Sequence, residues 1–312
     1  MADATTTATD EVAIDFHTLF RIYKDGRIDR FAGTQILPPT THPDTGVRSK
    51  DVVINPGTGL SARLFLPKIT ADHSTGKLPF LLFIHGGAFC IETPFSPNYH
   101  NHVAALAAEA NVVALSLHYR RPPEHLLPAA YDDAWEALNW AIAHSEDGDG
   151  PEEWLKHHAD FQRIFVAGDS AGANIANTVL VRVGSEGVRN GSRVIGMILF
   201  HPYFHNGEPN KLLDVIFPTS SGATDPRLNP AGADPNGLAK LGCESVLIFV
   251  AKKDWLKDRG WSYYEALRKS GWVGKVEIVE SEDEDHVFHL LNPACEKAVD
   301  LMKKTVSFLK QV

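Results

Sequence analysis

The chain has 312 residues, of which 44% are apolar in the broad sense, enough for a large core in one domain or two. Acidic residues outnumber basic ones by 39 to 30, and the formal net charge of −9 disfavours nucleic acid and anionic membranes as partners. The three cysteines, Cys90, Cys243 and Cys295, lack the paired spacing of a zinc site or a disulfide framework, and no HExxH motif is present, so we expect no metal and no cofactor.

The chain begins with MADATTTATDEVAIDF, which contains acidic residues, no early basic patch and no long apolar run. This start is unlike a secretory signal or a transit peptide. No later stretch has the length of continuous apolar sequence that a membrane span needs. We therefore expect a soluble, cytoplasmic protein without a membrane partner, and we interpret residues 1–23 as an N-terminal arm that serves as a lid.

Eight short apolar runs typical of strands follow along the chain. They lie at 51–54, 62–67, 79–84, 112–119, 163–167, 194–200, 245–251 and 275–280. From residue 79 onward they alternate with segments of helical period at 99–109, 131–144, 171–184, 261–270 and 294–310. This alternation predicts one α/β domain over residues 1–312, with a mostly parallel central sheet flanked by helices and the first two runs paired as a hairpin at one edge.

Loops after the strands of such a sheet are where binding and catalytic residues gather. The longest of these segments, 205–240, is rich in glycine and proline, and only KLLDVIF within it has an ordered pattern. A loop of this length is typical of a lid or a surface excursion. We predict that function for it, rather than a separate domain.

The sequence Gly168-Asp169-Ser170-Ala171-Gly172 stands between a predicted strand and a predicted helix. A strand that turns at once into a helix strains the turning residue, and glycines two positions away on both sides allow the close approach of the chain. The serine hydroxyl is then exposed beside the first amides of the helix, as an acyl-transfer nucleophile requires. A serine N-cap in a tight turn is the alternative, but the strand–helix context favours Ser170 as the nucleophile.

The segment His85-Gly86-Gly87-Ala88-Phe89 directly follows the apolar run PFLLFI. Consecutive residues with small side chains let backbone amides face inward, so Gly87, Ala88 and Ala171 are predicted to donate hydrogen bonds to an oxyanion. The alternative is a glycine-rich turn without chemical meaning.

A serine nucleophile needs a base, and the base needs an acid that orients it. Asp254 follows the run at 245–251, and His286 follows the run at 275–280, so the candidates occur in the order Ser, Asp, His at the carboxyl ends of strands. Asp258 is a weaker candidate because it lies further from its strand. His289 lies one helical turn after His286, and we expect it to contribute to packing.

Five motifs in this order resemble the plant carboxylesterases of the hormone-sensitive-lipase group of α/β-hydrolases, over nearly the whole chain from about residue 18. The motifs are HGGAF (85–89), YRRPPEH (119–125), GDSAGAN (168–174), KDWLKDRGW (253–261) and DHVFHL (285–290). The resemblance implies the α/β-hydrolase fold. It also implies a serine carboxylesterase with Ser170 as nucleophile, His286 as base, Asp254 as its partner, and Gly87, Ala88 and Ala171 as oxyanion donors.

The chain departs from the pattern of this family at a few positions. Ala88 replaces a third glycine, His118 replaces the usual aspartate, and Arg121-Pro122 replace the usual Leu-Ala. None of these changes removes a catalytic group. The segment after residue 204 is shorter than in relatives, so we expect an open pocket or a lid formed chiefly by residues 12–23. Four phenylalanines are predicted to line the substrate pocket, namely Phe16, Phe89, Phe95 and Phe217.

Three functions are compatible with these residues. The first is hydrolysis of a small carboxylic ester through an acyl-enzyme on Ser170. The second is elimination or cyclisation of a related natural product, since similar plant proteins are lyases, cyclases or dehydratases that use the same pocket. The third is ligand binding without catalysis, as in the gibberellin receptors of the group, which lack the histidine that this chain retains at position 286. The complete Ser, Asp, His set favours hydrolysis.

Overall fold

The computed structural model describes residues 10–69, 76–145, 148, 150–233 and 235–310, and these residues form eleven strands. The strands are β1 (Val12–Phe16), β2 (Phe20–Tyr23), β3 (Ile28–Arg30), β4 (Arg48–Asn55), β5 (Leu60–Leu66), β6 (Leu78–Ile84), β7 (Val113–His118), β8 (Ala159–Asp169), β9 (Val194–Phe200), β10 (Ser245–Ala251) and β11 (Lys275–Ser281). The first three form a small antiparallel sheet, and the other eight form the central sheet in the order β11-β10-β9-β8-β6-β7-β5-β4.

Helices connect most strands of the central sheet. They are α1 (Pro97–Ala110), α2 (Ala129–Ile142), α3 (Glu153–His158), α4 (Ala171–Glu186), α5 (Lys211–Ile216), α6 (Pro230–Ala233), α7 (Pro235–Ala239), α8 (Lys257–Lys269), α9 (Phe288–Leu291) and α10 (Glu296–Leu309). Within the described ranges, no helix has the length and hydropathy that would let it span a bilayer.

The central sheet separates two hydrophobic cores. Alternate side chains of a strand point to opposite faces, so Phe80 and Leu82 of β6 belong to one core while Leu81 and Phe83 belong to the other. Helices α2, α4 and α8 cover the first core, and α1 and α10 cover the second. Because both faces are covered, the middle strands are mostly apolar rather than alternating, which explains the nearly continuous apolar sequences of β6, β9 and β10.

The prediction of a mostly parallel sheet flanked by helices is confirmed. Strands β6 to β11 pair in parallel, and β4 and β5 form the antiparallel edge hairpin that was expected. The bounds of β9 and β10 match the predicted runs at both ends.

The short elements of three regions were not predicted, because each region is polar or contains glycine and has little periodicity. They are the small sheet β1–β3, helix α3 in the segment interpreted as a loop, and helices α6 and α7 within 205–240. The predicted arm over residues 1–23 falls partly outside the described residues, since the description begins at residue 10.

The carboxyl ends of β6, β8, β9, β10 and β11 meet at one edge of the sheet, because these five strands are adjacent and parallel. The loops that leave this edge begin at His85, Ser170, His201, Lys252 and Glu282. Residues that are far apart in the sequence are therefore placed side by side, as expected for a site in a parallel sheet.

Candidate active site

Ser170 is the single residue between β8 and α4, and its backbone is strained. Its φ is 50° and its ψ is −116°. This backbone conformation is energetically unfavourable for any residue other than glycine. The turn is held by the Ser170 amide, which donates to the carbonyl of Phe200 at 2.8 Å. This sharp turn from strand to helix is possible only because Gly172 has no side chain. A Cβ at that position would lie 2.1 Å from the carbonyl oxygen of Ile84.

His286 is within hydrogen-bonding distance of Ser170. Its Nε2 lies 3.0 Å from the Ser170 Oγ, and its Nδ1 lies 2.8 Å from Oδ2 of Asp254. The structure thus brings together the three residues predicted from strand order. Of the weaker candidates, Asp258 has a side chain that is 93% exposed. His289 is buried and stacks on His201 rather than joining this chain of hydrogen bonds.

Asp254 is buried and accepts more hydrogen bonds than the one from His286. His201, the first residue after β9, approaches the same Oδ2 through its Nδ1 at 3.2 Å, and the amide of Leu256 donates to Oδ1 at 2.8 Å. Burial alone would raise the pKa of Asp254, but hydrogen bonds from His201 and His286 outweigh it and hold the pKa well below the ordinary value. The carboxylate is therefore ionised at neutral pH and fixes the Nδ1–H tautomer of His286.

His201, Asp254 and His286 also present possible metal ligands within 4.8 Å of one another. The two Nδ1 atoms lie at hydrogen-bonding distances from an ionised carboxylate, which accepts but does not donate, so both nitrogens carry protons. A metal would need those nitrogens deprotonated. We therefore interpret the three residues as a hydrogen-bonded set.

The loop after β6 has three consecutive residues with positive φ, at 89° for Gly87, 52° for Ala88 and 66° for Phe89. Gly87 and Ala88 line the cavity beside Ser170, and Ala171 begins α4 directly after it. No described residue accepts a hydrogen bond from the amides of these two loop residues or of Ala171. Amides of this kind next to a nucleophile are suited to bind an oxyanion.

Two buried tyrosines brace this loop. The hydroxyl of Tyr119 donates to the carbonyls of His85 and Gly86, at 3.0 and 3.1 Å. Asp169 accepts from the amide of Gly86 at 2.9 Å and from the hydroxyl of Tyr99 at 2.8 Å. Burial raises the pKa of Asp169 to about 7, although the hydrogen bond from Tyr99 opposes the increase.

The cavity beside Ser170 has a volume of about 280 Å³ and is mostly apolar. Its walls come from the segment before β2, the loop after β6, α1 and α9, and they include Leu19, Ile91, Trp255, Leu290 and Leu291. Trp255, directly after Asp254, is 64% exposed. The site thus has a small apolar pocket with its polar groups concentrated at the serine.

The four phenylalanines predicted to line the substrate pocket are not part of this cavity, and that prediction is corrected. Phe89 and Phe217 are each 2% exposed and pack around Tyr131, while Phe16 contacts Phe20 and Phe95 lies over Arg63. Sequence position placed them near the site, but their side chains fill the core or cover its edge.

The segments predicted as lids differ in their relation to the cavity. Leu19 of the N-terminal arm lines it, whereas no described residue of 205–240 does. That segment lines a separate depression of about 610 Å³, and Trp255 lines both this depression and the cavity beside Ser170. The function of the arm as a lid stays a prediction.

The unusual residues near the site have structural partners. His118 lies 3.2 Å from the hydroxyl of Ser61 and contacts the ring of Phe95. Glu124 pairs with Arg30 of β3 and so joins the proline-containing loop at 119–125 to the N-terminal sheet.

Sequence reasoning missed three residues that support the site. His201 had a usable signal, because it directly follows a correctly predicted strand. Tyr99 had none, since it is one apolar residue among many until the fold brings its hydroxyl to the loop. Tyr119 begins the YRRPPEH motif, but nothing in that motif indicates that its hydroxyl reaches the loop after β6.

Comparison with known proteins shows the family and the fold. A family model described as "alpha/beta hydrolase fold" matches residues 81–290. The chain is 42% identical to Probable carboxylesterase 1 of Arabidopsis thaliana, over 96% of this chain and 98% of that one. It is 40% identical to 2-hydroxyisoflavanone dehydratase of Glycyrrhiza echinata, over 99% of this chain and all of that one. A solved esterase of the archaeon Pyrobaculum calidifontis superposes with a TM-score of 0.69 at 26% identity, covering 87% of this chain and 86% of that one.

Proposed function

The chain belongs to the plant carboxylesterases of the α/β-hydrolase family, and on that premise we propose that it hydrolyses small carboxylic esters with Ser170 as its nucleophile. One observation carries the proposal. The Ser170 hydroxyl, the His286 ring and the Asp254 carboxylate form a continuous hydrogen-bonded chain, with distances of 3.0 and 2.8 Å, at the mouth of an apolar cavity. Such an arrangement activates a serine for acyl transfer.

The reaction begins when Nε2 of His286 takes the proton of Ser170 and the oxygen attacks the ester carbonyl carbon. The amides of Gly87, Ala88 and Ala171 donate to the oxyanion of the tetrahedral intermediate. Asp254 stabilises the positively charged imidazolium ring of His286 without itself taking the proton. When the intermediate collapses, the ring returns its proton to the leaving alcohol, and the acyl group stays on Ser170.

Deacylation repeats these steps with water. His286 takes a proton from the water molecule while its oxygen attacks the acyl carbon, and the proton then returns to Ser170 as the free acid leaves. The volume of about 280 Å³ and the apolar walls favour small esters with an uncharged acyl group over long chains or acidic ones.

A second candidate function is elimination of water from a hydroxylated natural product. It is favoured by the 40% identity to 2-hydroxyisoflavanone dehydratase over nearly the whole chain. Elimination needs a base and an oxyanion site, which His286 and the loop amides also supply, but it does not need an acyl-enzyme on Ser170.

The two functions are separated by removing the nucleophile. With p-nitrophenyl acetate, we expect a burst of p-nitrophenol equal to the enzyme concentration, followed by slower turnover, and both are lost in Ser170→Ala. Ser185→Ala is the matched control, because Ser185 is an exposed residue of α4 that donates only to its own helix. If Ser170→Ala still hydrolyses the ester at the wild-type rate, the esterase proposal is wrong. If it instead dehydrates a β-hydroxy ketone as fast as the wild type does, the second function is supported.

A further inference from the structure

The depression of about 610 Å³ next to the cavity beside Ser170 contains an arginine without an acidic partner. The depression lies between the segment after β9, α6 and α8, and Trp255 lines both it and the cavity beside Ser170. It is the larger of the two, since the cavity beside Ser170 has a volume of about 280 Å³. A substrate that places a small acyl group beside Ser170 therefore has room for a larger alcohol portion on the far side of Trp255.

The charged side chains around this depression are paired, with one exception. Asp258 lies 3.9 Å from Lys257, and Glu265 lies 3.6 Å from Lys269. Arg259 also lines the depression, but it forms no ion pair with a carboxylate among the residues that the structure describes. An arginine side chain stays protonated at any pH at which the protein is folded, so this positive charge is not balanced by a neighbour.

Uncharged groups hold the guanidinium of Arg259 in place. Its Cζ lies 4.7 Å from the ring centroid of Trp255 and 5.4 Å from that of Tyr203. One of its terminal nitrogens donates to the carbonyl of Phe204 at 2.9 Å. A guanidinium has more N–H groups than this bond uses, and they lie in one plane that matches the two oxygens of a carboxylate. The group is therefore fixed in position with donors left for an anion.

Both rings that contact the guanidinium are tied to the candidate active site. Trp255 directly follows Asp254 and lines the cavity beside Ser170. The backbone amide of Tyr203 donates to the carbonyl of Ser170 at 3.0 Å. Arg259 is thus held in a fixed position relative to the nucleophile, and a substrate that extends from the cavity into the depression passes Trp255 to reach it.

We propose that Arg259 binds a carboxylate on the alcohol portion of the substrate. The preferred esters then join a small uncharged acyl group to an alcohol that carries a carboxylate. This inference rests on the proposed ester hydrolysis and names the class of substrate for it. One guanidinium balances the charge of one carboxylate, whereas a phosphate monoester carries more charge and would need a second cation. Lys269 does not supply one, because it is paired with Glu265.

The test compares two acetate esters that differ by one charge, 3-(4-acetoxyphenyl)propanoate and 3-(4-acetoxyphenyl)propanamide. The ester bond and the leaving phenol are alike in both, and the flexible chain lets the carboxylate reach past Trp255. The wild type is expected to hydrolyse the carboxylate ester with a kcat/KM about tenfold higher, the effect of a hydrogen bond to a charged group. The difference is expected in KM rather than in kcat, because Arg259 holds the carboxylate equally before and during the reaction.

Two variants assign this preference to one side chain. Arg259→Gln removes the charge, and the ratio of the two kcat/KM values is expected to fall to about one. Lys269→Gln is the matched control and is expected to keep the wild-type ratio, because Lys269 lines the same depression but is paired with Glu265. The ratio is the decisive quantity, since a loss of folded protein lowers both rates alike.

The outcomes separate this inference from the proposed function. The inference alone is wrong if the wild type hydrolyses p-nitrophenyl acetate but does not prefer the carboxylate ester over the amide. It is also wrong if Arg259→Gln keeps the preference, or if Lys269→Gln loses as much of it. If the wild type hydrolyses none of the three esters, the proposed ester hydrolysis is wrong and the inference fails with it.

Discussion

The cavity beside Ser170, called the reaction cavity below, shares a wall with a cavity among α1, α9 and α10. The two differ in whether the histidines in their walls have hydrogen-bond partners. In the reaction cavity, His286 is bonded at both ring nitrogens, to Ser170 and to Asp254. His289 lies only three residues further along the chain, yet neither of its ring nitrogens has a hydrogen-bond partner among the described residues, and its ring stacks on those of Phe200 and His201. A ring held on both sides by hydrogen bonds is positioned to move a proton, whereas a ring packed among aromatic side chains contributes to the core.

The difference comes from the loops rather than from the residue type. His286 is in the loop after β11, beside Asp254 from the loop after the adjacent strand β10. His289 is in α9, and its ring lies 5.1 Å from that of His102 of α1. Variants that remove single hydrogen bonds from the reaction cavity therefore test how strictly catalysis depends on the hydrogen-bonded chain of Ser170, His286 and Asp254.

The largest effect is expected from His286→Ala. Removing the base of a catalytic triad lowers kcat by about 10⁶-fold in a serine hydrolase, because neither the attack of Ser170 nor the release of the alcohol is then assisted. The measurement is steady-state hydrolysis of p-nitrophenyl acetate. His157→Ala is the control, because the side chain of His157 is 65% exposed on α3. A kcat within tenfold of the wild type in His286→Ala would remove His286 from the mechanism.

Asp254→Asn is expected to lower kcat by about 10⁴-fold, since an amide in place of the carboxylate favours the wrong tautomer of His286. Asp258→Asn, at a position where the side chain is 93% exposed, is expected to leave kcat unchanged. Equal losses in the two variants would contradict the assignment of the acid to Asp254.

His201→Phe is expected to lower kcat about tenfold, equivalent to about 1.4 kcal/mol, the size of one hydrogen bond to a charged group. Asp254 keeps its bonds to His286 and to the amide of Leu256 in this variant, so the effect is smaller than that of Asp254→Asn. His201 does not line the reaction cavity, and KM is therefore expected to stay the same. A change confined to KM would show that His201 acts on substrate binding and not through Asp254.

The last prediction concerns the free energy of unfolding and its dependence on pH, rather than kcat. Because the folded-state pKa of Asp169 is raised to about 7, the folded protein binds a proton there that the unfolded chain has lost above about pH 4. The free energy of unfolding is therefore expected to fall as the pH rises from about 4 to 7, by up to about 1.4 kcal/mol per pH unit from this group.

Asp169→Asn isolates that contribution. Urea unfolding of the wild type and the variant at several pH values between 4 and 8 gives the difference in their unfolding free energies. The wild type should gain stability relative to the variant as the pH is lowered through this window. A difference that is constant with pH would mean that the pKa of Asp169 is not raised.

The sequence predicted the elements that depend on neighbouring residues or on a strongly periodic pattern of apolar residues. Strands buried on both faces are continuous apolar runs, so β9 and β10 were located at their true ends, and strand order then placed Ser170, Asp254 and His286 at one edge. The pocket walls were not predictable in the same way. Phe89 and Phe217 look in the sequence like residues of an apolar pocket, yet which aromatic ring faces a cavity and which fills the core depends on packing between distant segments.

The contact between α1 and α9 was likewise not predictable from the sequence. His102 and His289 are separated by 187 positions, and only the packing of α1 against α9 brings their rings to 5.1 Å. Neither residue has a sequence neighbour that indicates this contact.

A crystal structure of the protein after reaction with a small organophosphate tests the central claim most directly, because the adduct resembles the tetrahedral intermediate. We predict phosphorus bonded to Oγ of Ser170, with the phosphoryl oxygen about 2.7–3.1 Å from the amides of Gly87, Ala88 and Ala171. An adduct on a different side chain, or a phosphoryl oxygen beyond the reach of all three amides, would contradict the account.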